Sequence, residues 1–167
     1  MRFGKRKRAG LFALSLMTAF LTALGAGRAI AQPSLRLVVE PEVVRTRTVV
    51  TATVSGARPG TQVRLFASLF LGETFLGPFS SECGDFGFRL ALGEPVKHIR
   101  TADGVTDQTG TATLRFRMPA RLPPRYNGIK VYFQAAGFVL VRDSGGNCSV
   151  RTATTNVDCS TIRLDLK

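Results

Sequence analysis

The residues with the most distinctive chemistry in this chain are three cysteines, Cys83, Cys148 and Cys159. Their spacing lacks the close pairs of cysteine or histidine that form zinc sites, so no metal centre is expected. In an oxidising compartment thiols tend to pair, and three thiols leave one over. Ten residues separate Cys148 from Cys159, enough for a short loop or hairpin, which favours a disulfide between these two. Cys83 is the alternative partner, provided that its turn meets the C-terminal segment.

The single histidine, His98, lies in residues 96–100 between basic neighbours. A general base needs a nucleophile and an orienting acid close in space, and the sequence points to neither. A structural or solvent-facing histidine is therefore expected. The chain also lacks a dinucleotide-binding glycine motif, a P-loop and a G-x-S-x-G nucleophile motif, so the sequence predicts no cofactor.

Carboxylates are the other candidates for chemistry. Asp103 and Asp107 share one loop, and oxygen ligands on a loop can hold calcium, although their spacing matches no EF-hand. Aspartate also caps the backbone of turns, and this interpretation is favoured. A hydrolase would need two carboxylates at a defined separation, and the sequence does not place any two. The available ones in the middle of the chain are Glu73, Glu82, Asp85 and Glu94.

Residues 1–31 are predicted to be a cleavable signal peptide. A basic start precedes an apolar run over about residues 9–27, and Ala29-Ile30-Ala31 then supplies the small-x-small pattern of a cleavage site, which leaves Gln32 first. An uncleaved anchor is the competing interpretation, since the run approaches the shortest membrane span of roughly 17 residues. After cleavage no stable membrane insertion is expected, and the destination is the periplasm, the envelope surface or the medium.

The leader also accounts for half of the basic excess. The chain has 23 Lys and Arg against 11 Asp and Glu, and six of the basic residues lie before residue 32, which leaves a net charge of +6. Such a charge is ordinary for a soluble domain, roughly 2 to 8 in magnitude. The remaining arginines are scattered without a stripe of stacking aromatic residues, so nucleic-acid binding is not expected.

Residues 32–167 are predicted to form one all-β domain, because no linker divides them and the length suffices for a core. Apolar and polar residues alternate in several short segments, which is typical of strands with one buried face in antiparallel sheets. These segments are 35–40, 47–55, 62–71, 86–92, 96–100, 112–118, 129–133 and 161–166. The proline-rich residues 119–128 are expected to cross between two sheets. The prediction is a single antiparallel β-sandwich of seven to eight strands.

A resemblance supports this fold class. The segments VVTATVSGARPGTQVRLFA (49–67) and TDQTGTATL (106–114) resemble the strand pairs of bacterial immunoglobulin-like or fibronectin type III-like sandwich domains. Residues 118–119 and 131–135 are similar to small secreted bacterial sandwich proteins of unassigned role. The resemblance implies an immunoglobulin-like sandwich and implies nothing about activity. The chain has no tryptophan and therefore lacks the core tryptophan of antibody domains.

Residues 70–79 are more apolar than an ordinary loop and contain Phe70, Phe75 and Phe79. A plug that closes one end of the sandwich is favoured, and an exposed patch for a partner is the alternative, because large exposed apolar surfaces are rare. The expected function is an exported, non-enzymatic module of the envelope or extracellular space, structural or binding an unidentified protein or glycan. The alternative is a small secreted hydrolase, or an accessory domain, that acts on a polymer.

Overall fold

The computed structural model describes residues 35–164, so the predicted signal peptide and its Ala31–Gln32 cleavage site lie outside the described residues. Within residues 35–164 no helix is long and apolar enough to cross a membrane. The described chain is all-β, with one short 3-10 helix at Pro124–Tyr126. Its strands are β1 Arg36–Glu40, β2 Val43–Val44, β3 Val49–Ser55, β4 Gln62–Ser68, β5 Phe70–Ser81, β6 Gly84–Gly93, β7 Lys97–Val105, β8 Ala112–Arg117, β9 Lys130–Arg142, β10 Cys148–Thr154 and β11 Asp158–Ile162.

Each of the eight predicted segments overlaps at least one of these strands, and 62–71 overlaps both β4 and the start of β5, which confirms the all-β prediction. The sequence does not predict β2, β10 or most of β5. The described residues contain eleven strands in three sheets, more than the seven to eight strands expected of one sandwich. The first sheet has the order β1-β3-β8. The central sheet has the order β2-β11-β9-β4-β7, with β10 also paired to β9, and β5 and β6 form a separate hairpin.

The central sheet is covered on both faces. Along β4, Val63 and Leu65 are buried in a cluster shared with the first sheet. The next residue, Phe66, points to the opposite face, where it is buried with Phe88 and Leu90 of the hairpin. The hairpin is thus a third layer. It covers the face of β4 that the sequence predicts to be exposed, and the two together enclose a second core.

The proline-rich connection does cross between sheets, as predicted. Residues 119–128 join β8 of the first sheet to β9 of the central sheet. The 3-10 helix lies in this connection, and its turn is closed by the Tyr126 N–H, which donates to the Pro123 carbonyl at 3.0 Å. Proline suits this segment because it cannot donate to a strand ladder.

Candidate functional site

A disulfide fastens the tip of the hairpin to the central sheet. Ser81 of β5 pairs with Gly84 of β6, so Glu82 and Cys83 form the two-residue turn between them. Cys83 is bonded to Cys148, the first residue of β10. Their Cα atoms are 5.0 Å apart and their sequence separation is 65. The third layer is therefore tied covalently to the layer that it covers.

The predicted Cys148–Cys159 pair is wrong, and the alternative partner Cys83 takes its place. Strands β10 and β11 follow each other along the same edge of β9. Cys148 lies opposite Arg142 and Cys159 lies opposite Tyr132, ten positions apart on β9. That separation is about 33 Å at 3.3 Å per strand residue, which no disulfide can span. Cys159 is free and half-buried.

The disulfide has one charged neighbour beside each cysteine, Glu82 next to Cys83 in the turn and Arg142 opposite Cys148. The guanidinium of Arg142 lies 3.3 Å from the Glu82 carboxylate in an exposed ion pair. Glu82 and the two bonded cysteines also lie within metal-ligating distance of one another. Because both sulfur atoms are in the disulfide, no thiolate is left to bind zinc, and the cluster acts as a fastening.

A second contact joins the hairpin to the central sheet close to its tip, at Phe79 near the end of β5. The Arg64 guanidinium lies 5.1 Å from the ring centres of both Phe79 and Phe138. Phe79 also packs against Phe86 and Phe88. Phe79 therefore belongs to the second core and not to an exposed patch, so the predicted set of three phenylalanines is divided.

The other two phenylalanines of that set are exposed, and neither plugs the end of a sandwich. Phe70 and Phe75 have 56% and 62% of their surfaces accessible, and Leu71 beside them has 59%. They lie on β5, the outer strand of the third layer, whose outward face has no further layer over it in the described residues. The alternative of an exposed patch therefore fits Phe70 and Phe75.

Phe75 is held in a fixed orientation by a glycine on the neighbouring strand. Its ring lies against Gly87 of β6, where a Cβ atom would stand 2.4 Å from Cζ. The backbone of Phe75 is paired opposite Arg89. The ring therefore lies against the backbone of Gly87 while most of its surface stays open to solvent.

A groove runs past Phe75 between β6 and β10. It consists of two adjoining clefts, one of about 460 Å³ that reaches Ala91 of β6 and one of about 340 Å³ that reaches Gly87. Both clefts share Phe75, Arg89 and Thr154. Their size is that of small-ligand sites, roughly 300 to 1,000 Å³.

The buried side chain of Gln134 fixes one wall of this groove. Its Oε1 accepts a hydrogen bond from the Ala91 N–H at 2.7 Å, and its Nε2 donates to the Thr155 carbonyl at 2.8 Å. The open edge of β6 is thereby attached to β9, and the groove has a preformed wall.

Two opposite charges flank the ring. Glu73 and Arg89 line the larger cleft and are both exposed. Within residues 35–164 neither side chain makes a hydrogen bond or an ion pair. The groove therefore offers one acceptor-only group and one donor-only group to a ligand, with no net charge.

His98 contacts the carboxylate of Asp103 and the aromatic ring of Phe66. Its Nε2 lies 2.6 Å from Asp103 Oδ1, and its ring centre lies 5.2 Å from that of Phe66. No hydroxyl or thiol of the described residues hydrogen-bonds to it. This fits the structural position expected from the sequence.

Asp103 and Asp107 do not converge on a common point. Asp103 pairs with His98, whereas Asp107 Oδ1 accepts hydrogen bonds from the Thr109 N–H and hydroxyl and from the Thr111 N–H. The Thr109 hydroxyl, followed by the Thr111 N–H, lowers the pKa of Asp107 below its ordinary value of 3.8. Asp107 is a turn cap, as favoured from the sequence, and its contacts give no support to a calcium site.

A second aspartate, Asp143, caps the turn between β9 and β10. Asp143 Oδ1 accepts from the Gly145 and Asn147 N–H groups, and Oδ2 accepts from the Asn147 side-chain amide at 2.9 Å. The Asn147 side chain is the main cause that lowers the pKa of Asp143 below 3.8. This capped turn directs β10 back along β9 and so places Cys148 beneath the hairpin tip.

The four carboxylates of the hydrolase alternative are distributed along the hairpin. Glu73 alone lines the groove. Glu82 pairs with Arg142 at the tip, and Asp85 accepts from the Ser80 hydroxyl at 2.8 Å. Glu94 follows the end of β6. No specific observation favours a catalytic pair among them.

The comparisons with known proteins give no family. No protein-family model and no curated protein matches the chain. Among solved structures, Spo0M, a sporulation control protein from Bacillus subtilis, aligns at 10% identity and TM-score 0.35 over 80% of this chain and 50% of that one. Macromomycin aligns at 12% identity and TM-score 0.33 over 74% of this chain and all of that one. The match to the first thus spans half of its length, and the immunoglobulin-like resemblance stays a prediction.

Sequence reasoning missed most of the groove. No motif marks the groove residues Gly87, Arg89, Gln134 and Thr154, and the sequence offers Glu73 only as a candidate for hydrolysis. A signal exists for one pair: once residues 70–93 are recognised as a hairpin, Phe75 and Gly87 fall on neighbouring strands as diagonal neighbours. The remaining wall depends on β10, which the sequence does not predict.

Proposed function

We propose that this protein is an exported, non-enzymatic binding module of the cell envelope or extracellular space, which recognises a protein or glycan through its disulfide-fastened hairpin. The observation that carries the proposal is the hairpin layer itself. Its inner face is buried and its tip is bonded to the sheet, yet its outer face presents Phe75 beside a groove. A rigid exposed aromatic residue beside a groove is a common feature of binding sites.

The export part of the proposal is supported by two independent features. The predicted signal peptide ends in a small-x-small pattern at residues 29–31. The Cys83–Cys148 bond is a structural disulfide of the kind that persists in oxidising compartments and is rare in the cytosol.

The binding part is supported by the rigidity of the groove. Its wall is fixed by the Gln134 hydrogen bonds, its ring by Gly87, and the hairpin by Cys83. A preformed site loses little conformational entropy when a ligand binds. Exposed charges that lack partners in the described chain are available to such a ligand.

The test follows the tagged full-length chain after expression in an exporting bacterial host. Fractionation is followed by incubation of the purified protein with isolated envelope material, and by a search for soluble products. We expect extracytoplasmic protein that is retained on the envelope and releases no products. The Cys83→Ser/Cys148→Ser variant should lose retention, whereas Cys159→Ser serves as the matched control. Cytoplasmic location, absence of retention, or released products would each overturn the proposal.

A further inference from the structure

We infer that the groove beside Phe75 is a binding site for neutral carbohydrate, in which a pyranose ring stacks on Phe75 and an oligosaccharide continues along the groove. The inference rests on the proposed function and names the ligand class of the same site. Three features carry it: the open aromatic face, the polar groups around it and the balance of their charges.

The first feature is the ring. A pyranose has one face of C–H bonds, whose slight positive charge is attracted to the electron-rich face of an aromatic ring. Phe75 supplies such a face, with 62% of its surface accessible and its back against Gly87. Because the backbone holds the ring, stacking costs little side-chain entropy.

The second feature is the polar rim. Sugar hydroxyls both donate and accept hydrogen bonds, so they are best met by groups of both kinds around one platform. Glu73 accepts only, Arg89 donates only, and Thr152 and Thr154 across the groove offer hydroxyls that do either. The carboxylate and guanidinium are available for this because neither has a partner among residues 35–164.

The third feature is charge. Glu73 and Arg89 cancel, so the groove attracts neither anions nor cations as a class, and neutral sugars are favoured over acidic ones. The two clefts adjoin at Phe75 and Arg89 and together run along β6 from Ala91 to Gly87, which leaves room for a chain longer than the stacked ring. An oligosaccharide should therefore bind more tightly than a monosaccharide.

A peptide fits these observations less well. Proline-rich peptides dock on grooves lined by several aromatic rings. This groove has one exposed ring, and the next exposed one, Phe70, lies outside it. Peptide binding is thus an outcome of the test that would contradict the inference.

The experiment titrates the full-length chain with neutral oligosaccharides, namely cello-, laminari-, manno-, xylo- and chito-oligosaccharides, and with a proline-rich peptide. We expect at least one oligosaccharide to bind, with little change in affinity up to about 1 M salt. Phe75→Ala should weaken this binding by roughly fivefold, which corresponds to the contribution of about 1 kcal/mol from aromatic stacking of this kind. Glu73→Gln and Arg89→Met should each weaken it by about threefold to tenfold.

Phe70→Ala is the matched control, because Phe70 is an exposed phenylalanine of the same strand that does not line the groove. The Phe70→Ala variant should bind the oligosaccharide with the affinity of the wild type. Circular dichroism and the thermal midpoint establish that both variants are folded. The inference is overturned if no oligosaccharide binds, if Phe75→Ala binds as well as Phe70→Ala, or if only the peptide binds.

The failure of this inference is separable from failure of the proposed function. If the wild type is exported and retained on the envelope, but retention is abolished by protease treatment of the envelope and unchanged in Phe75→Ala, the ligand is a protein bound elsewhere. The binding module would then stand and the carbohydrate site would not. Retention that survives protease and is lost in Phe75→Ala supports both.

Discussion

The ring of Phe75 rests on the backbone of Gly87, with no room for a side chain between them. A Cβ atom at residue 87 would lie 2.4 Å from Phe75 Cζ and 2.9 Å from the Leu76 carbonyl oxygen. The glycine therefore determines where the exposed ring stands, and with it the shape of the groove.

The first prediction follows from this contact. Gly87→Ala should displace the Phe75 ring and lower the free energy of unfolding by about 1–3 kcal/mol, the usual cost of overpacking. Chemical denaturation measures the loss. In a Phe75→Ala background the same substitution should cost less, because the ring no longer occupies the space. Equal costs in both backgrounds would show that the ring does not depend on the glycine.

The second prediction concerns the disulfide. Closing a loop of 65 residues stabilises the fold by about 4 kcal/mol in the chain-entropy estimate. Replacing Cys83 and Cys148 by serine should therefore lower the free energy of unfolding by about 2–4 kcal/mol and increase hydrogen exchange in the hairpin. Cys159→Ser should change it by less than about 0.5 kcal/mol. A larger loss from Cys159→Ser than from the double variant would contradict the assigned pairing.

The third prediction concerns the arginine between two rings. Arg64→Ala should lower the free energy of unfolding by about 1–2 kcal/mol, because a partly desolvated cation between Phe79 and Phe138 gains more than an exposed one. Arg115→Ala, an exposed arginine on the outer face of the first sheet, should change it by less than about 0.5 kcal/mol. Similar losses for the two variants would mean that Arg64 does not fasten the hairpin.

The fourth prediction concerns acid. The folded-state pKa of Asp107 lies below 3.8, so its hydrogen bonds stabilise the fold fully above that pH and less as the pH falls through the folded-state pKa. The stability advantage of the wild type over Asp107→Asn, which does not titrate, should therefore shrink below pH 3.8. Asp143→Asn should behave in the same way. Chemical denaturation at a series of pH values measures the difference in unfolding free energy between the wild type and each variant. A difference that stays constant down to about pH 2 would contradict the capping role.

The alternation of apolar residues predicts strands well in this chain and layers poorly. Val63 and Leu65 lie on one face of β4, and Phe66 lies on the other face with Arg64. The sequence of this strand alone therefore predicts that Phe66 faces solvent. Its cover is Phe88, which comes 22 positions later, and only the folding back of the hairpin brings the two rings to 6.0 Å. A third layer is a long-range property that periodicity within one strand cannot contain.

The cysteine pairing escapes the sequence for a related reason. Loop length favours Cys148 with Cys159, but β10 and β11 extend along one strand in succession and carry these residues apart. Strand β10 itself is hard to predict because its residues are mostly polar or exposed, as befits an edge. Without β10 neither the disulfide nor the far wall of the groove can be foreseen.

The central claim is that an exported chain carries a hairpin fastened by Cys83 and Cys148, and one measurement tests it most directly. Protein from the extracytoplasmic fraction is digested without reduction, and its peptides are mapped by mass. The account predicts an N-terminus at Gln32, a peptide pair joined through Cys83 and Cys148, and Cys159 as a free thiol. A chain that keeps Met1 with three free thiols, or a Cys148–Cys159 bridge in exported protein, would contradict it.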